Sequence, residues 1–117
     1  QPGKMVNGKL TLGENIADLG GLTVAYDALK LASGADFKDP MTDGMTQDQR
    51  FFINWATVWR RGFTDKEMSV RLVTDSHAPA GFRANGAPSN MPIFAAAFGC
   101  KAGDPMVRSD DQRIAIW

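Results

Sequence analysis

The stretch from Gly13 to Ser33 constrains the fold most, because it contains no proline and carries apolar residues at helical steps. These residues recur every two to three positions with few polar interruptions, and they are Ile16, Leu19, Leu22, Val24, Tyr26, Leu29 and Leu31. The pattern predicts one long helix that begins at about Gly13 and is buried over much of its surface. Gly20-Gly21 inside it costs roughly 1 kcal/mol per glycine relative to alanine, which indicates close packing against another helix or a kink. Ser33-Gly34 is typical of a helix end.

Two capping boxes predict the next helices. Residues 46–49 (Thr-Gln-Asp-Gln) open a helix that runs to about Trp59, and residues 64–67 (Thr-Asp-Lys-Glu) open a shorter one to about Thr74. The first of these helices has a broad apolar face, formed by Phe51, Phe52, Trp55, Val58 and Trp59. Composition alone favours plain core packing for this face.

Glycine and proline divide the rest of the chain. They predict three segments without regular structure, residues 1–12, 34–45 and 75–88. A short helix over Pro92–Phe98 is expected, with Ser89 or Asn90 as its cap. The tail is mostly irregular, and its apolar end, which includes Trp117, should dock on a core. The predicted fold class is therefore mainly α.

Composition limits the possible functions. The chain has 117 residues, and its thirteen basic and thirteen acidic side chains cancel. This balance argues against a nucleic-acid partner or a polybasic membrane role, because both need a concentrated positive field. No apolar run approaches the ~20 residues that span a bilayer. The single cysteine, Cys100, excludes an internal disulfide framework, and a chain whose only histidine is His77 cannot alone supply the three usual ligands of a catalytic zinc site.

Glu14 and Asp18 are the first candidates for chemistry, since two residues four apart on a helix share one face. A solvated first turn, where acids favour the positive end of the helix dipole, is the simpler explanation of this spacing alone. Their neighbours Ile16, Ala17 and Leu19 are unlike those of a solvated acidic face. Buried acids need a metal or a hydrogen-bonding partner, so the pair is a candidate site.

The segment Asp75-Ser76-His77-Ala78-Pro79, followed by Arg83, is the second candidate. A lone histidine is most often a structural or surface imidazole. His77, however, lies in a stretch punctuated by proline and glycine, and loops held between helices are where functional sites concentrate. His77 and Arg83 could both stabilise a developing oxyanion, and Asp75 could orient the imidazole.

Several segments together resemble the neprilysin-like zinc metallopeptidases. Residues 7–22 resemble the LGENIADxGGL segment of that family, and its DxHxP…FR pattern recurs in residues 74–79 with Phe82-Arg83. Similarity also covers residues 51–59, residues 90–98 and the terminal aliphatic–Trp ending. The matches span almost the whole chain in the same order, and the two motifs together are highly specific.

The resemblance implies a role for each candidate residue. It makes Glu14 the third zinc ligand and Asp18 the carboxylate that orients a zinc-bound histidine of an HExxH helix. Asp75 resembles a carboxylate that orients an active-site imidazole, most simply that of His77. His77 and Arg83 would assist at the transition state and hold the substrate backbone.

The same resemblance changes the interpretation of Val58 and Trp59 alone. They match the part of a family helix that lines the hydrophobic S1′ pocket, which replaces plain core packing for these two residues. The implied fold is the helical C-terminal portion of a thermolysin-like (zincin) catalytic domain. The implied activity is zinc-dependent endoproteolysis of oligopeptides on the N-terminal side of hydrophobic residues, with one zinc ion as cofactor.

The family pattern is incomplete in this chain. HExxH, which supplies two ligands and the general base, and the Asn-Ala substrate-binding segment are both absent, and we expect them upstream of Gln1. Residues 1–117 are therefore expected to be a C-terminal fragment of the catalytic domain, with oligopeptides and the rest of that domain as partners. The isolated chain should bind zinc weakly and have no peptidase activity. Arg60 and Ile114 replace cysteines of the animal members, which indicates a bacterial-type enzyme, and the family makes an extracytoplasmic location the expectation.

Two other classes of function stay open. One is a non-catalytic helical interaction module, such as a degenerate relative that keeps the packing but has lost catalysis. The other is a plain structural helical domain, which would leave Glu14 and Asp18 in solvent and not in a cleft shared with His77.

Overall fold

A computed structural model describes residues 3–34 and 41–116. Its helices are α1 (Gly8–Ser33), α2 (Gln47–Val58), α3 (Asp65–Thr74), α4 (Ala80–Ser89) and α5 (Pro92–Phe98). In these ranges the only β pairing is an isolated bridge between Thr42 and Met45, so the predicted mainly α class is confirmed. None of the described helices combines the length and the hydropathy that a bilayer crossing requires. Part of the predicted loop 34–45, residues 35–40, lies outside the described residues.

α1 begins earlier than the sequence pattern predicts, because Asn7 caps it. The Asn7 side-chain oxygen accepts hydrogen bonds from the backbone N–H groups of Lys9 and Leu10, both at 3.2 Å. Asparagine is among the best N-cap residues, and it satisfies donors that the first turn leaves without intrahelical partners. The prediction of an irregular lead was therefore wrong for residues 8–12, whereas the helix end at Ser33 is confirmed.

Only one face of α1 is buried, and it carries Thr11, Leu19, Gly20, Leu22 and Tyr26. Elsewhere on the helix Ile16, Val24 and Leu31 are 45%, 54% and 84% exposed. The prediction of burial over much of the helix surface was wrong for the described chain. Gly21 is also exposed, and a Cβ there would meet nothing within 4 Å, so it makes no close helix contact. An apolar pattern reports which residues favour burial, but whether protein covers them depends on the rest of the fold.

The two predicted capping boxes differ in the structure. Thr46 and Gln49 form the complete reciprocal pair at the start of α2, with hydrogen bonds of 3.2 and 3.0 Å. At the start of α3 the Thr64 side chain accepts from the Glu67 backbone N–H at 3.2 Å. The Glu67 carboxylate lies 2.8 Å from Arg71 Nε. Both predicted helices are confirmed. In the second capping box the Glu67 carboxylate binds Arg71, one helical turn later.

α4 contradicts the predicted loop for residues 80–88, whereas residues 75–79 are without regular structure as predicted. Pro79 occupies its N-cap and Pro88 lies near its C-terminal end. Proline breaks helices by removing a backbone N–H and by crowding the preceding turn, and both effects are smallest before or at the first turn. Gly81 and Gly86 weaken the helix by roughly 1 kcal/mol each without preventing it. Packing against α1 therefore overrides a local signal that favours a loop.

The core lies where α1, α2, α4 and α5 meet, and its buried residues are Leu19, Leu22, Tyr26, Phe52, Ala87 and Met91. Phe52 is the most buried of them, with 2% exposure. Three rings surround it, with centroids at 5.2 Å (Phe94), 5.3 Å (Phe51) and 6.2 Å (Tyr26). Phe51 and Trp55 pack against this cluster from its edge. Core packing of α2 through Phe51, Phe52 and Trp55 is therefore confirmed.

The side chain of Asn90 holds the C-terminal tail, a role that the sequence pattern did not predict. Asn90 was a predicted cap of α5, but Met91 is the N-cap and makes no side-chain capping bond. The Asn90 amide oxygen instead accepts a hydrogen bond of 2.9 Å from the Ile114 backbone N–H. Ile116 packs against the core, Ile114 is 57% exposed, and Trp117 lies outside the described residues.

Replacing Phe52 with alanine should lower the free energy of unfolding by about 3–5 kcal/mol, because it removes the most buried ring of the core. Ile53→Ala is the matched control, since Ile53 is the next residue of α2 and is 41% exposed. Urea unfolding followed by circular dichroism measures both. Equal costs for the two variants would contradict the location of the core.

Candidate functional site

The contact between α1 and α4 brings Arg83 to the acidic pair of α1. Arg83 Nε lies 2.6 Å from Asp18 Oδ2, and Arg83 Nη2 lies 2.6 Å from Asp18 Oδ1, so the pairing is bidentate. Nη2 also lies 3.3 Å from Glu14 Oε2. The Arg83 and Asp18 side chains are only 8% and 10% exposed. Asp18 is therefore an internal acid with a cationic partner, which excludes the solvated position expected for a plain structural domain.

His77 lies between two carboxylates. Its Nδ1 is 2.7 Å from Asp75 Oδ1, and its Nε2 is 3.3 Å from Glu14 Oε2. The backbone N–H of His77 also donates to Asp75 Oδ1, at 2.9 Å. Asp75 thus holds both the backbone and the ring of His77, and this fixes which edge of the imidazole faces Glu14. Only the doubly protonated ring can donate to both acids at once.

Asp75 is held on its other side by Arg71. Arg71 Nη1 lies 2.6 Å from Asp75 Oδ2, and Arg71 Nε binds Glu67 at 2.8 Å. The His77 backbone N–H lowers the pKa of the Asp75 carboxyl most, followed by the His77 ring and, more weakly, by the charge of Arg71. Asp75 therefore stays ionised and remains an acceptor for the imidazole.

Arg83 is fixed from three directions. Besides its acidic partners, its guanidinium carbon lies 4.1 Å from the centroid of the Trp59 ring, and its backbone carbonyl accepts a hydrogen bond of 3.3 Å from Trp55 Nε1. The hydrogen bond to Asp18 raises the pKa of Arg83 above its usual value, although burial alone acts in the opposite direction. The cation is thus retained inside the protein in one orientation.

A pocket of about 520 Å³ opens beside this cluster. Its apolar wall is formed by Val6, Val58, Trp59, Phe63, Met68 and Leu72. Asp75, His77 and Arg83 also line the pocket. Val58 is 64% exposed and therefore contributes little to the core. The two residues assigned to a substrate pocket on the basis of resemblance thus share one cavity with His77 and Arg83.

Within the described residues, no group of three or more His, Cys, Asp and Glu side chains is arranged to hold a metal ion. A catalytic zinc site takes three protein ligands and keeps one position open. Glu14 fits the part of one such ligand, because its side chain is 37% exposed and its ion pairs with His77 and Arg83 both use Oε2. Any zinc bound at Glu14 would need further ligands from outside the described residues.

The sequence interpretation missed three residues of the site. Arg71 could have been found, because it stands four residues from both Glu67 and Asp75 on a predicted helix. The position of Arg61 on the pocket wall and the hydrogen bond from Trp55 to Arg83 could not. The hydrogen bond depends on how α2 meets α4, and the place of Arg61 depends on which elements close the pocket beyond the turn after Trp59; no local pattern encodes either contact.

Sequence comparison gives a match over almost the whole chain. The model of peptidase family M13 matches residues 1–114. Neprilysin-1 of Caenorhabditis elegans is 40% identical over 116 residues, which cover 96% of this chain and 15% of that protein. Endothelin-converting enzyme 1 of Homo sapiens is 44% identical over 118 residues, which cover 98% of this chain and 15% of the enzyme. The chain therefore spans about 15% of the length of these relatives.

Structural comparison gives the same family of proteins. The crystal structure of the Mycobacterium tuberculosis zinc metalloprotease ZMP1 in complex with an inhibitor matches with a TM-score of 0.94 and 39% sequence identity. The match covers 100% of this chain and 18% of that one. The structure of ZMP1 in an open state matches with a TM-score of 0.93. The chain has the fold of the corresponding part of this metalloprotease.

Arg83→Met should destabilise the protein by about 3–5 kcal/mol, because it leaves Asp18 buried without its cation. The double variant Arg83→Met/Asp18→Leu should cost less than the sum of the two single variants, since no uncompensated charge is left. Urea unfolding of the unmodified protein, Arg83→Met, Asp18→Leu and the double variant gives the coupling energy. Arg71→Met, at a side chain that is 40% exposed, is the control and should cost less than about 1 kcal/mol. Additive costs would contradict the pairing.

The Asp75 carboxyl should titrate below the ordinary aspartate pKa of about 3.9, as measured by carbon-13 NMR. Because the pKa is lowered in the folded state, Asp75 contributes stability that is present above its unfolded pKa and is lost as pH falls through the folded value. His77→Ala should raise this pKa part of the way, since the backbone donor at residue 77 remains, and Arg71→Gln should raise it less. A titration at or above the ordinary pKa in the unmodified protein would contradict these contacts.

Proposed function

Because the chain belongs to peptidase family M13, we propose that the full-length protein is a zinc-dependent metalloendopeptidase that cleaves oligopeptides on the N-terminal side of hydrophobic residues. One observation carries the proposal. An acid suited to bind a metal, an imidazole oriented by a second acid, and a fixed arginine converge at the wall of an apolar pocket. The zinc metalloprotease ZMP1 shares this fold at 39% identity, which supports the same chemistry.

Glu14 is the proposed zinc ligand of this chain, and two further ligands come from the HExxH helix expected outside it. When bound, the zinc ion polarises the peptide carbonyl and lowers the pKa of a bound water. A half-exposed carboxylate with one oxygen free of ion pairs fits this part. His77 and Arg83 both contact the other oxygen, Oε2, which leaves Oε1 as the proposed metal-binding atom.

His77 and Arg83 are the proposed donors to the developing negative charge and to the substrate backbone. Donors fixed in advance stabilise an oxyanion most, because they need no reorganisation during the reaction. The hydrogen bond to Asp75 fixes the ring of His77, and the contacts with Asp18 and Trp59 fix the guanidinium of Arg83.

Asp18 has a second proposed part in the full-length enzyme. The family resemblance assigns it to orient a zinc-bound histidine. Both of its oxygens already accept from Arg83, at 2.6 Å each. A carboxylate offers about four acceptor positions in total, so it can accept an imidazole N–H as well. Asp18 would then link the orientation of the metal ligand to that of Arg83.

The pocket bounded by Val58 and Trp59 is the proposed S1′ site. Six apolar side chains form part of its wall, and the volume of about 520 Å³ accommodates a large aliphatic or aromatic side chain. His77 and Arg83 at its margin place the scissile carbonyl next to that side chain. This arrangement supports cleavage on the N-terminal side of a hydrophobic residue.

Bacterial type and extracytoplasmic location are finer proposals. Arg60 and Ile114 stand where the animal members carry cysteines, which supports a bacterial-type protein. The relatives include animal proteins and a mycobacterial one, so the family alone does not decide the source. Extracytoplasmic location follows from the family only.

Glu14→Gln in the full-length protein should reduce zinc content and lower peptidase activity at least about 100-fold, because the amide cannot supply the anionic oxygen of the ligand. Glu67→Gln is the matched control, since Glu67 contacts Arg71 and not His77. Zinc is measured by elemental analysis, and activity with a fluorogenic oligopeptide. Normal zinc content and near-normal rates in Glu14→Gln would refute the ligand assignment.

The isolated 117-residue chain should bind zinc weakly and hydrolyse no peptide, because two ligands and the general base are missing. Zinc-dependent turnover by the pure chain would refute the proposal that two zinc ligands and the general base come from outside it. The rival proposal, a non-catalytic interaction module or degenerate relative, requires that the full-length protein also lacks activity with zinc present.

A further inference from the structure

Arg71 occupies the last turn of α3 and reaches the carboxylate that orients His77. Asp75 is the C-cap of this helix, and its backbone N–H donates to the Arg71 carbonyl at 2.9 Å. Because the two residues stand four apart, their side chains lie on the same side of the helix end. Arg71 Nη1 lies 2.6 Å from Asp75 Oδ2. A cation in the last turn also interacts favourably with the negative end of the helix dipole.

The two oxygens of Asp75 have separate partners. Oδ1 accepts a hydrogen bond of 2.9 Å from the backbone N–H of His77 and lies 2.7 Å from Nδ1 of its ring. Among the described residues, Oδ2 has a hydrogen-bond partner only in Arg71. The torsion that turns an aspartate carboxylate is broad, so a carboxylate held at one oxygen can still rotate. Arg71 therefore sets the plane of the Asp75 carboxylate, and that plane sets the direction in which the His77 ring is held.

Arg71 is itself held on two further sides. Its Nε lies 2.8 Å from Glu67 Oε1, and its guanidinium carbon lies 4.3 Å from the centroid of the Phe63 ring. The rigid fork of a guanidinium loses little further freedom when it makes several such contacts, although this side chain is 40% exposed. The His77 side chain is 48% exposed, so packing alone does not fix its ring. The direction of this imidazole thus depends on a chain of hydrogen bonds that includes Arg71.

We propose that Arg71 is a positioning residue of the peptidase site, which acts on His77 through Asp75 and not by contact with the reacting groups. This inference rests on the proposed peptidase function. A donor that is oriented before the reaction stabilises developing charge most. Without Arg71, Asp75 and His77 would adopt more orientations, and only some of them would aim the imidazole at the substrate. Substrate binding in the pocket would change little, so Arg71 should act on kcat more than on KM.

The test uses the full-length enzyme with zinc and two fluorogenic peptides, which carry leucine or phenylalanine after the cleaved bond. Arg71→Met and Arg71→Gln remove the charge, whereas Arg71→Lys keeps it. Lys66→Met is the matched control, since Lys66 is an exposed cation of the same helix and does not line the pocket. Asp75→Asn, alone and combined with Arg71→Met, completes a double-mutant cycle. The readouts are kcat and KM, measured separately for each peptide.

We expect kcat to fall about three- to tenfold in Arg71→Met and Arg71→Gln, by the same factor for both peptides, with KM changed less than about twofold. The loss is at the low end for outer residues of a site, because Arg71 is partly exposed and acts through another side chain. Arg71→Lys should recover part of kcat, since an ammonium can bind Asp75 but lacks the fixed fork of the guanidinium. Lys66→Met should behave as the unmodified enzyme. In the Asp75→Asn background, Arg71→Met should cause no further loss.

Four results would overturn the inference alone, because the unmodified enzyme would still be active. They are a normal kcat in the uncharged Arg71 variants, a change confined to KM, an equal loss in Lys66→Met, and an undiminished loss in the Asp75→Asn background. A loss that differs between the two peptides would indicate direct contact with the substrate side chain and would overturn it as well. Absence of turnover of both peptides by the unmodified enzyme with zinc would overturn the proposed function and this inference with it.

Discussion

The bidentate pair between Arg83 and Asp18 is the interaction on which the rest of the site depends. Both side chains are about nine-tenths buried, so either one without the other would be an uncompensated charge inside the protein. The pair ties α4 to α1, and it aims the guanidinium at Glu14 and at the Trp59 ring. A helix that contains two glycines and a proline keeps its position because this contact and the core residue Ala87 bind it to its neighbours.

Ion pairs extend from Arg83 and Asp18 to the pocket wall. His77 joins Glu14 of α1 to Asp75, and Arg71 joins Asp75 to Glu67. Each link fixes the orientation of the next side chain, which is how a half-exposed imidazole acquires a defined direction. The network joins four acids, Glu14, Asp18, Glu67 and Asp75, to the side chains of Arg71, Arg83 and His77.

The apolar surface of α1 indicates how this chain relates to a larger protein. Ile16, Val24 and Leu31 are exposed on a helix whose opposite face builds the core. The chain spans about 15% of the length of the relatives that it matches. Glu14 lies on the same helix, between the core face and the exposed positions. The proposed metal ligand and an uncovered apolar face lie on one helix, which fits the proposal that other parts of a larger protein complete the site.

The sequence by itself determined the helical class, the ends of α2 and α3 to within a residue, and the identity of the candidate residues, because caps, apolar spacing and the two motifs act over a few positions. It failed at α4, where glycine and proline predict a loop, and at the buried extent of α1. Only the tertiary structure decided which acid each cation binds. Arg83 pairs with a residue 65 positions away, and that pairing exists only because α4 packs on α1. Local sequence encodes which groups are charged, whereas the distance between charges, which sets their interaction energy, is a property of packing.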